Sequence, residues 1–262
     1  MNSKVVSLEA LTVIASNAGD AVLRHYRHQD TWVRKKSDGS PVTEADMASE
    51  VVIQKQLRAL DPTIPYLSEE AGLPSVEERR QWSRFWLVDP LDGTKEFLQE
   101  TDEFTVNIVL IEDGEPVIGV VAAPALGVIY RAAKGEGAWK VRAGEPAKRL
   151  KSCRADPTQP LRIVESRSHP SPDLEAFLEK FSVKARLKVG SSLKFCLLAE
   201  GSADIYPRLG PTMEWDVGAG DCIYRHSATG DPHPSPLIYN KPSLRNERFV
   251  LGLEPGSYDW PA

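Results

Sequence analysis

Hydrophobic and polar positions change their period along this chain, and the changes mark its elements. Leu8, Leu11, Ala15, Ala18 and Val22 recur at helical spacing, which predicts an amphipathic helix over residues 4–29. The apolar run 5–15 resembles a signal peptide, but Glu9 interrupts it and the helical period accounts for it. Thr43 and Asp46 stand in a Ser/Thr-x-x-acid pattern that opens a second helix. Ile53, Leu57 and Leu60 mark its buried face, and Asp61-Pro62 stops it. Short apolar runs at 65–68 and 85–88 predict strands that deliver Glu69-Glu70 and Asp89. Phe104, Val106, Ile108 and Leu110 alternate with polar Thr105 and Asn107, as in a strand with one polar face. Residues 117–122 read as a more fully buried strand and 128–140 as the rest of a meander, with turns at Gly114-Glu115 and Gly144-Glu145-Pro146.

The second half alternates differently, with strands at 161–164, 187–189 and 204–206 and helices at 172–181, 193–200 and 215–226. Alternating elements of this kind predict a layered α/β fold. A composition shift at 141–160 divides the chain into an α+β half, 1–145, and an α/β half, 146–262. Lys148, Arg149 and Lys151 at that boundary read as a solvated hairpin.

Composition narrows the function classes. The 262 residues are 41% hydrophobic and 26% charged, which excludes a disordered chain and gives enough length for a core without staples. Thirty-two basic against thirty-seven acidic residues leave a net charge of -5, which speaks against nucleic-acid binding and a polybasic membrane surface. No stretch approaches the roughly 20 apolar residues of a membrane span. Cys153, Cys196 and Cys222 are scattered and odd in number, as expected in a reducing compartment. The expected location is the cytoplasm, with peripheral membrane association left open. The histidines show no metal spacing, and Trp82, Trp86, Trp139 and Trp260 read as packing residues.

The chemistry concentrates in Trp86-Leu87-Val88-Asp89-Pro90-Leu91-Asp92-Gly93-Thr94-Lys95-Glu96-Phe97. A strand ends in an acid, and Pro90 is expected to turn the chain so that Asp89 and Asp92 face one centre, with the Leu91 carbonyl between them. Oxygen-only ligands suit Mg²⁺ shared with a phosphate. Gly93-Thr94 is expected to open a helical turn whose N–H groups and hydroxyl address that phosphate. Glu69-Glu70 supplies further charge at a strand end. Asp216, after Trp215, reads first as a helix cap, and Asp46 could be only a first-turn acid.

Thr43-Glu44-Ala45-Asp46, Ser68-Glu69-Glu70, the Asp89–Thr94 string and Trp215-Asp216 occur in an order that resembles the inositol monophosphatase superfamily, across nearly the whole chain. The resemblance implies a layered α/β/α/β/α fold and a lithium-sensitive, Mg²⁺-dependent phosphatase with two or three ions. It implies one metal on Glu69, Asp89 and the Leu91 carbonyl, and another on Asp89, Asp92 and Asp216. Thr94, oriented by Asp46, would position and help deprotonate the attacking water, and Glu70 would act on the metal waters. Lys95-Glu96, where relatives carry Thr-Asn, resembles the branch of 3′(2′),5′-bisphosphate nucleotidases of the CysQ type, as do residues 190–196, 206–210 and Tyr239-Asn240-Lys241-Pro242.

That branch implies a nucleotide bisphosphate substrate, adenosine 3′,5′-bisphosphate, cleaved to AMP and phosphate, with the 5′-phosphosulfate form as a further substrate. Its place would be in sulfur metabolism. Arg208 would bind a second phosphate, and Lys194 either does so too or is solvated. Gly190, Ser191 and Ser192 either approach a ribose or cap a helix. With Glu69, Leu91, Asp92, Gly93, Thr94, Lys95 and Asp216 these complete the expected substrate contacts. Residues 228–236 depart from the family pattern, which leaves the outer edge of the pocket open. The competing expectations are an inositol or sugar monophosphate phosphatase and a binding protein without turnover, as monomer or homodimer. An aspartyl-phosphate mechanism needs acids two positions apart, whereas Asp89 and Asp92 are three apart.

Overall fold

Ser7 opens the first helix by accepting the Ala10 N–H at 3.1 Å, in a computed structural model that describes residues 6–28, 32–36 and 39–260. This helix, α1, spans Leu8–Leu23, shorter than its periodicity predicts, because the chain leaves helical geometry and Arg27 takes a φ of 61°. Lys4 and Gln29, the expected ends, lie outside the described residues. A hairpin of β1 (Val33–Lys35) and β2 (Pro41–Thr43) leads into α2 (Glu44–Leu60). The predicted capping box is present. Thr43 Oγ1 accepts the Ala45 N–H at 3.1 Å, and Asp46 Oδ2 accepts from the Thr43 N–H at 2.7 Å and its hydroxyl at 2.6 Å.

A seven-stranded sheet follows: β3 (Tyr66–Ser68), β4 (Arg84–Asp92), β5 (Thr105–Glu112), β6 (Glu115–Ala123), β7 (Val128–Ala133), β8 (Gly137–Arg142) and β9 (Lys148–Arg149), in sequence order. Only β3 and β4 run parallel. Short helices α3 (Val76–Arg79) and α4 (Thr94–Leu98) flank β4. In β4, Phe85 and Leu87 face one hydrophobic cluster while Trp86 and Val88 face another. The expected polar face of β5 is a correction. Thr105 and Asn107 are fully buried, because helices cover both sides of the sheet. The lysine-rich hairpin is exposed at β9 as expected.

Beyond the sheet come β10 (Leu161–Ser166), α5 (Leu174–Leu178), β11 (Val183–Val189), α6 (Leu193–Ala199), β12 (Tyr206–Arg208), β13 (Thr212–Met213), α7 (Glu214–His226), β14 (Arg245–Asn246) and β15 (Phe249–Leu251). Strands β10 and β11 pair in parallel, β12 pairs with β15, and an Ile163–Ile205 bridge joins the two pairs. Helices α1 and α2 pack on one face of the large sheet and α6 and α7 on the other. The small sheet follows, and α5 covers it through Leu174, Phe177 and Leu178. The result is the expected α/β/α/β/α layering, although α5 is about half its predicted length. In the atypical segment 228–236, His233 stacks on Tyr224 at 4.7 Å and meets Ser152 Oγ at 2.8 Å. That anchors the segment at the carboxyl end of α7, and none of its residues lines the cleft described below.

Candidate active site

Three carboxylates meet where three elements converge. The parallel register pairs Ser68 with Val88, so Glu69, just past the end of β3, stands beside Asp89 within β4. Helix α7 begins beside them and contributes Asp216. One oxygen from each of Glu69, Asp89 and Asp216 lies within 4.8 Å of the others. Asp216 caps the helix as expected, but from the third position of α7, as Asp46 does in α2, with Met213 as the N-cap residue. It lies in the first turn of α7, and its carboxylate accepts the Met213 N–H at 2.8 Å. The start of α7 is clasped by Glu214, which accepts the N–H groups of Asn240 at 2.7 Å and Lys241 at 2.9 Å. The Tyr239–Pro242 motif therefore braces the helix that carries Asp216.

The Asp89–Asp92 segment is not the free turn that Pro90 suggests. It continues β4 with an irregular register, Asp89 facing Asn107 and Asp92 facing Thr105. Ser49 Oγ holds the Pro90 carbonyl at 2.8 Å. The extra residue turns Asp92 toward Asn107 Nδ2, 3.3 Å away, so its carboxylate stands beside the trio rather than in it. Gly93 then takes a φ of 90°, with room for a side chain blocked by the Glu103 carbonyl 3.3 Å from a Cβ position. This bend starts α4 and brings Thr94 Oγ1 to 3.4 Å from both Asp46 Oδ1 and the Leu91 carbonyl. Asp46 thus divides its oxygens, one capping α2 and one facing Thr94.

Electrostatics explains what the trio can hold. Burial, then the charges of Glu69, Asp92 and Asp216, raises the Asp89 carboxyl well above the usual range. Burial and Asp92 raise Asp216 likewise. Asp46 is pushed up to about 7 by burial and by Glu70 and Glu69, against the hydrogen bonds from Thr43. Buried like charges of this density need a cation, and hard oxygen donors fit a divalent one. Lys36 supplies part of the compensation: its ammonium donates to Glu69 at 2.6 Å and also contacts Glu70. Glu70 points to Lys36 and is absent from the cleft lining.

These raised values set a stability prediction. Asp46, Asp89 and Asp216 hold protons more tightly folded than unfolded. Metal-free protein therefore loses stability as pH rises from the unfolded carboxyl range, roughly 4, through the folded values. Its thermal midpoint should be lower at about pH 8 than at about pH 5, and added Mg²⁺ should raise it more at the higher pH. A chelated protein that becomes more stable over that interval would contradict the clustering.

The acids form one end of a cleft of about 470 Å³. Lys95, His169, Lys194 and Arg208 line the same cleft, as do Ser191 and Gly93; His169 feels the charges of Lys95, Arg208 and Lys194, so these four gather as its basic end. Lys194 is buried, not solvated. Its ammonium donates to the Ser191 carbonyl, and burial lowers it to about 8 despite the Asp92 charge. Arg208 donates Nε to the Gly210 carbonyl at 3.1 Å and Nη2 to that of Pro211 at 2.9 Å. Ser191 has a φ of 47° and a buried hydroxyl without a partner among the described residues. Gly190 and Ser192 lie behind the lining. Gly190 donates its N–H to Glu103 at 2.8 Å, and the Ser192 hydroxyl donates to the Asp216 carbonyl at 2.6 Å. Lys36, Asn107 and His169 carry no local sequence signal and emerge only from the fold.

A model of the inositol monophosphatase family matches residues 4–239. The chain belongs to the inositol monophosphatase family. Within it, the 3′(2′),5′-bisphosphate nucleotidase CysQ of Salmonella typhimurium is 49% identical over 217 residues, 82% of this chain and 86% of that protein. The Escherichia coli protein of the same name is 46% identical over 250 residues, covering 94% and 99%. The crystal structure of CysQ from Bacteroides thetaiotaomicron superposes with a TM-score of 0.78 at 35% identity, covering 94% of this chain and 96% of that one. A Thermotoga maritima IMPase shares the fold at 21% identity, with a TM-score of 0.73. The Lys95-Glu96 pair of this inositol monophosphatase-family cleft faces its basic end, where Lys95 Nζ meets His169 Nε2 at 3.2 Å.

Proposed function

We propose that this chain is a Mg²⁺-dependent 3′(2′),5′-bisphosphate nucleotidase that converts adenosine 3′,5′-bisphosphate to AMP and phosphate and also accepts the 5′-phosphosulfate form. The observation that carries this reading is one cleft lined both by an acid trio and by Lys95, His169, Lys194 and Arg208. Curated relatives bearing the nucleotidase name support it.

Glu69, Asp89, Asp216 and the Leu91 carbonyl, with Asp92 beside them, would hold two or three Mg²⁺. Bound there, the ions supply an acidified water and neutralise charge on the departing ester oxygen. The protein's own part is orientation and proton movement. Thr94 Oγ1 holds the attacking water in place and passes a proton toward Asp46 Oδ1. Burial keeps Asp46 basic enough to take it near neutral pH. Asn107 fixes the Asp92 carboxylate by a hydrogen bond at 3.3 Å. At the basic end, Arg208 and Lys194 bind the phosphate that is retained, and Lys95 and His169 complete its surroundings.

The free cysteines suit a cytoplasmic enzyme that clears a by-product of sulfate activation. An inositol or sugar monophosphate has no second phosphate to meet the four basic groups, so it ranks second. The test is phosphate release from adenosine 3′,5′-bisphosphate and from inositol 1-phosphate, with Mg²⁺, with and without lithium. The reading expects a strong preference for the nucleotide and inhibition by lithium. Faster hydrolysis of the inositol ester would overturn the assignment of the basic end.

A further inference from the structure

One of the four basic side chains that line the cleft, His169, stands on a loop, and the structure shows what holds that loop. Residues Arg167, Ser168 and His169 follow β10 directly and belong to the second half of the chain. Each is engaged by a residue of the first half near α4. Arg167 makes a two-pronged pair with Glu103, with Nε and Nη2 each 2.7 Å from a carboxylate oxygen. The Ser168 hydroxyl donates to Glu96 Oε1. His169 Nε2 faces the Lys95 ammonium at 3.2 Å. Glu103 also accepts the Gly190 N–H at 2.8 Å, so one carboxylate ties two loops of the basic end together.

Glu96 is the centre of this arrangement. It lies on α4 two residues after Thr94, and it is only 4% exposed. A Cβ on Gly190 would stand 2.7 Å from its Cγ and 2.8 Å from the Glu103 carbonyl oxygen, so Gly190 is required for the loops to close on it. A buried carboxylate that loses its hydroxyl partner is costly, so the contact holds the loop firmly. None of these residues reaches the acid trio.

We propose that Glu96, acting through Ser168, is a positioning residue for the second-phosphate end of the cleft: it fixes the 167–169 loop so that His169, beside Lys95, faces the retained phosphate. This inference rests on the nucleotidase reading and adds the residues that set its preference for a bisphosphate. The acidic partner of the Lys95-Glu96 pair is then the loop's anchor, while Lys95 faces the substrate.

The experiment uses the full-length enzyme with Mg²⁺ and compares adenosine 3′,5′-bisphosphate with adenosine 3′-monophosphate, which lacks the second phosphate. In Ser168→Ala and Glu96→Ala, KM for the bisphosphate should rise about tenfold with kcat within about twofold. Inhibition by AMP, which carries only the retained phosphate, should weaken by a similar factor. KM for the monophosphate should not move. Glu96→Gln keeps an oxygen that accepts the Ser168 hydroxyl and should restore most of the bisphosphate affinity. Equal losses on both substrates, or unchanged KM and AMP inhibition in Ser168→Ala, would overturn the proposal. Ser168→Ala keeps the assay informative if Glu96→Ala folds poorly, since it deletes a single hydroxyl on a loop. A wild-type enzyme with no preference for the bisphosphate would instead overturn the nucleotidase reading itself.

Discussion

Asp89→Asn should lower kcat on the order of 1000-fold or more while leaving the metal-free protein at least as stable as the original at neutral pH. Asp89 is 1% exposed, and burial first, then the charges of Glu69, Asp92, Asp216 and Asp46, holds its carboxyl well above the usual carboxylate range. Asparagine keeps the shape and the oxygen that accepts the Leu91 N–H at 3.0 Å, so β4 retains its local geometry. It removes one buried negative charge, which relieves repulsion in the absence of a cation. The same charge is the one a bound cation needs most. Steady-state kinetics and a thermal melt in chelator check both halves. Near-normal turnover would refute the metal assignment, and a collapsed fold would show that the carboxylate is structural.

Arg208→Ala should raise KM for adenosine 3′,5′-bisphosphate roughly 30-fold, the worth of about 2 kcal/mol for a hydrogen-bonded charge pair. The guanidinium uses Nε and Nη2 on the Gly210 and Pro211 carbonyls, which aims the remaining Nη1 edge without a partner among the described residues. Its position on β12 is secured by pairing with β15, where Arg208 stands opposite Phe249. The loss should therefore fall on substrate affinity. For adenosine 3′-monophosphate KM should stay within about twofold. Equal loss on both substrates would assign Arg208 to holding the 208–211 turn rather than to phosphate recognition.

Local patterns in the sequence carried much of the fold. The Thr43–Asp46 cap, the apolar run before Asp89 and the start of α7 each depend on neighbours within a few residues, so their chemistry is visible in one dimension. The same patterns misled where tertiary packing decides. Proline at 90 reads as a turn, yet the Ser49 hydrogen bond and pairing with β5 carry the strand through it. Alternation in β5 reads as a half-solvated strand, yet Thr105 and Asn107 are buried, and Asn107 donates to Asp92 and to Ser192 at the start of α6.

The candidate site divides in the same way. Its acids announce themselves by spacing and by motif. Its nitrogen-bearing side chains do not: Lys36 lies 33 residues from Glu69, and His169 lies 74 from Lys95. Nothing in their own neighbourhoods marks them, because their role is created by β3 meeting the first hairpin and by the two halves of the chain closing on one cleft. Lys194 shows the intermediate case. Its motif was legible, but only burial against Ser191 and Asp92 distinguishes it from a solvated helix residue.

The central claim is that the acid end cuts and the basic end holds. Its most direct test is the identity of the nucleotide released when the enzyme and Mg²⁺ are incubated with adenosine 3′,5′-bisphosphate and the products are separated by chromatography. The account predicts adenosine 5′-monophosphate and one equivalent of phosphate. Adenosine 3′-monophosphate as the product, or no nucleotide turnover beside brisk hydrolysis of inositol 1-phosphate, would contradict it.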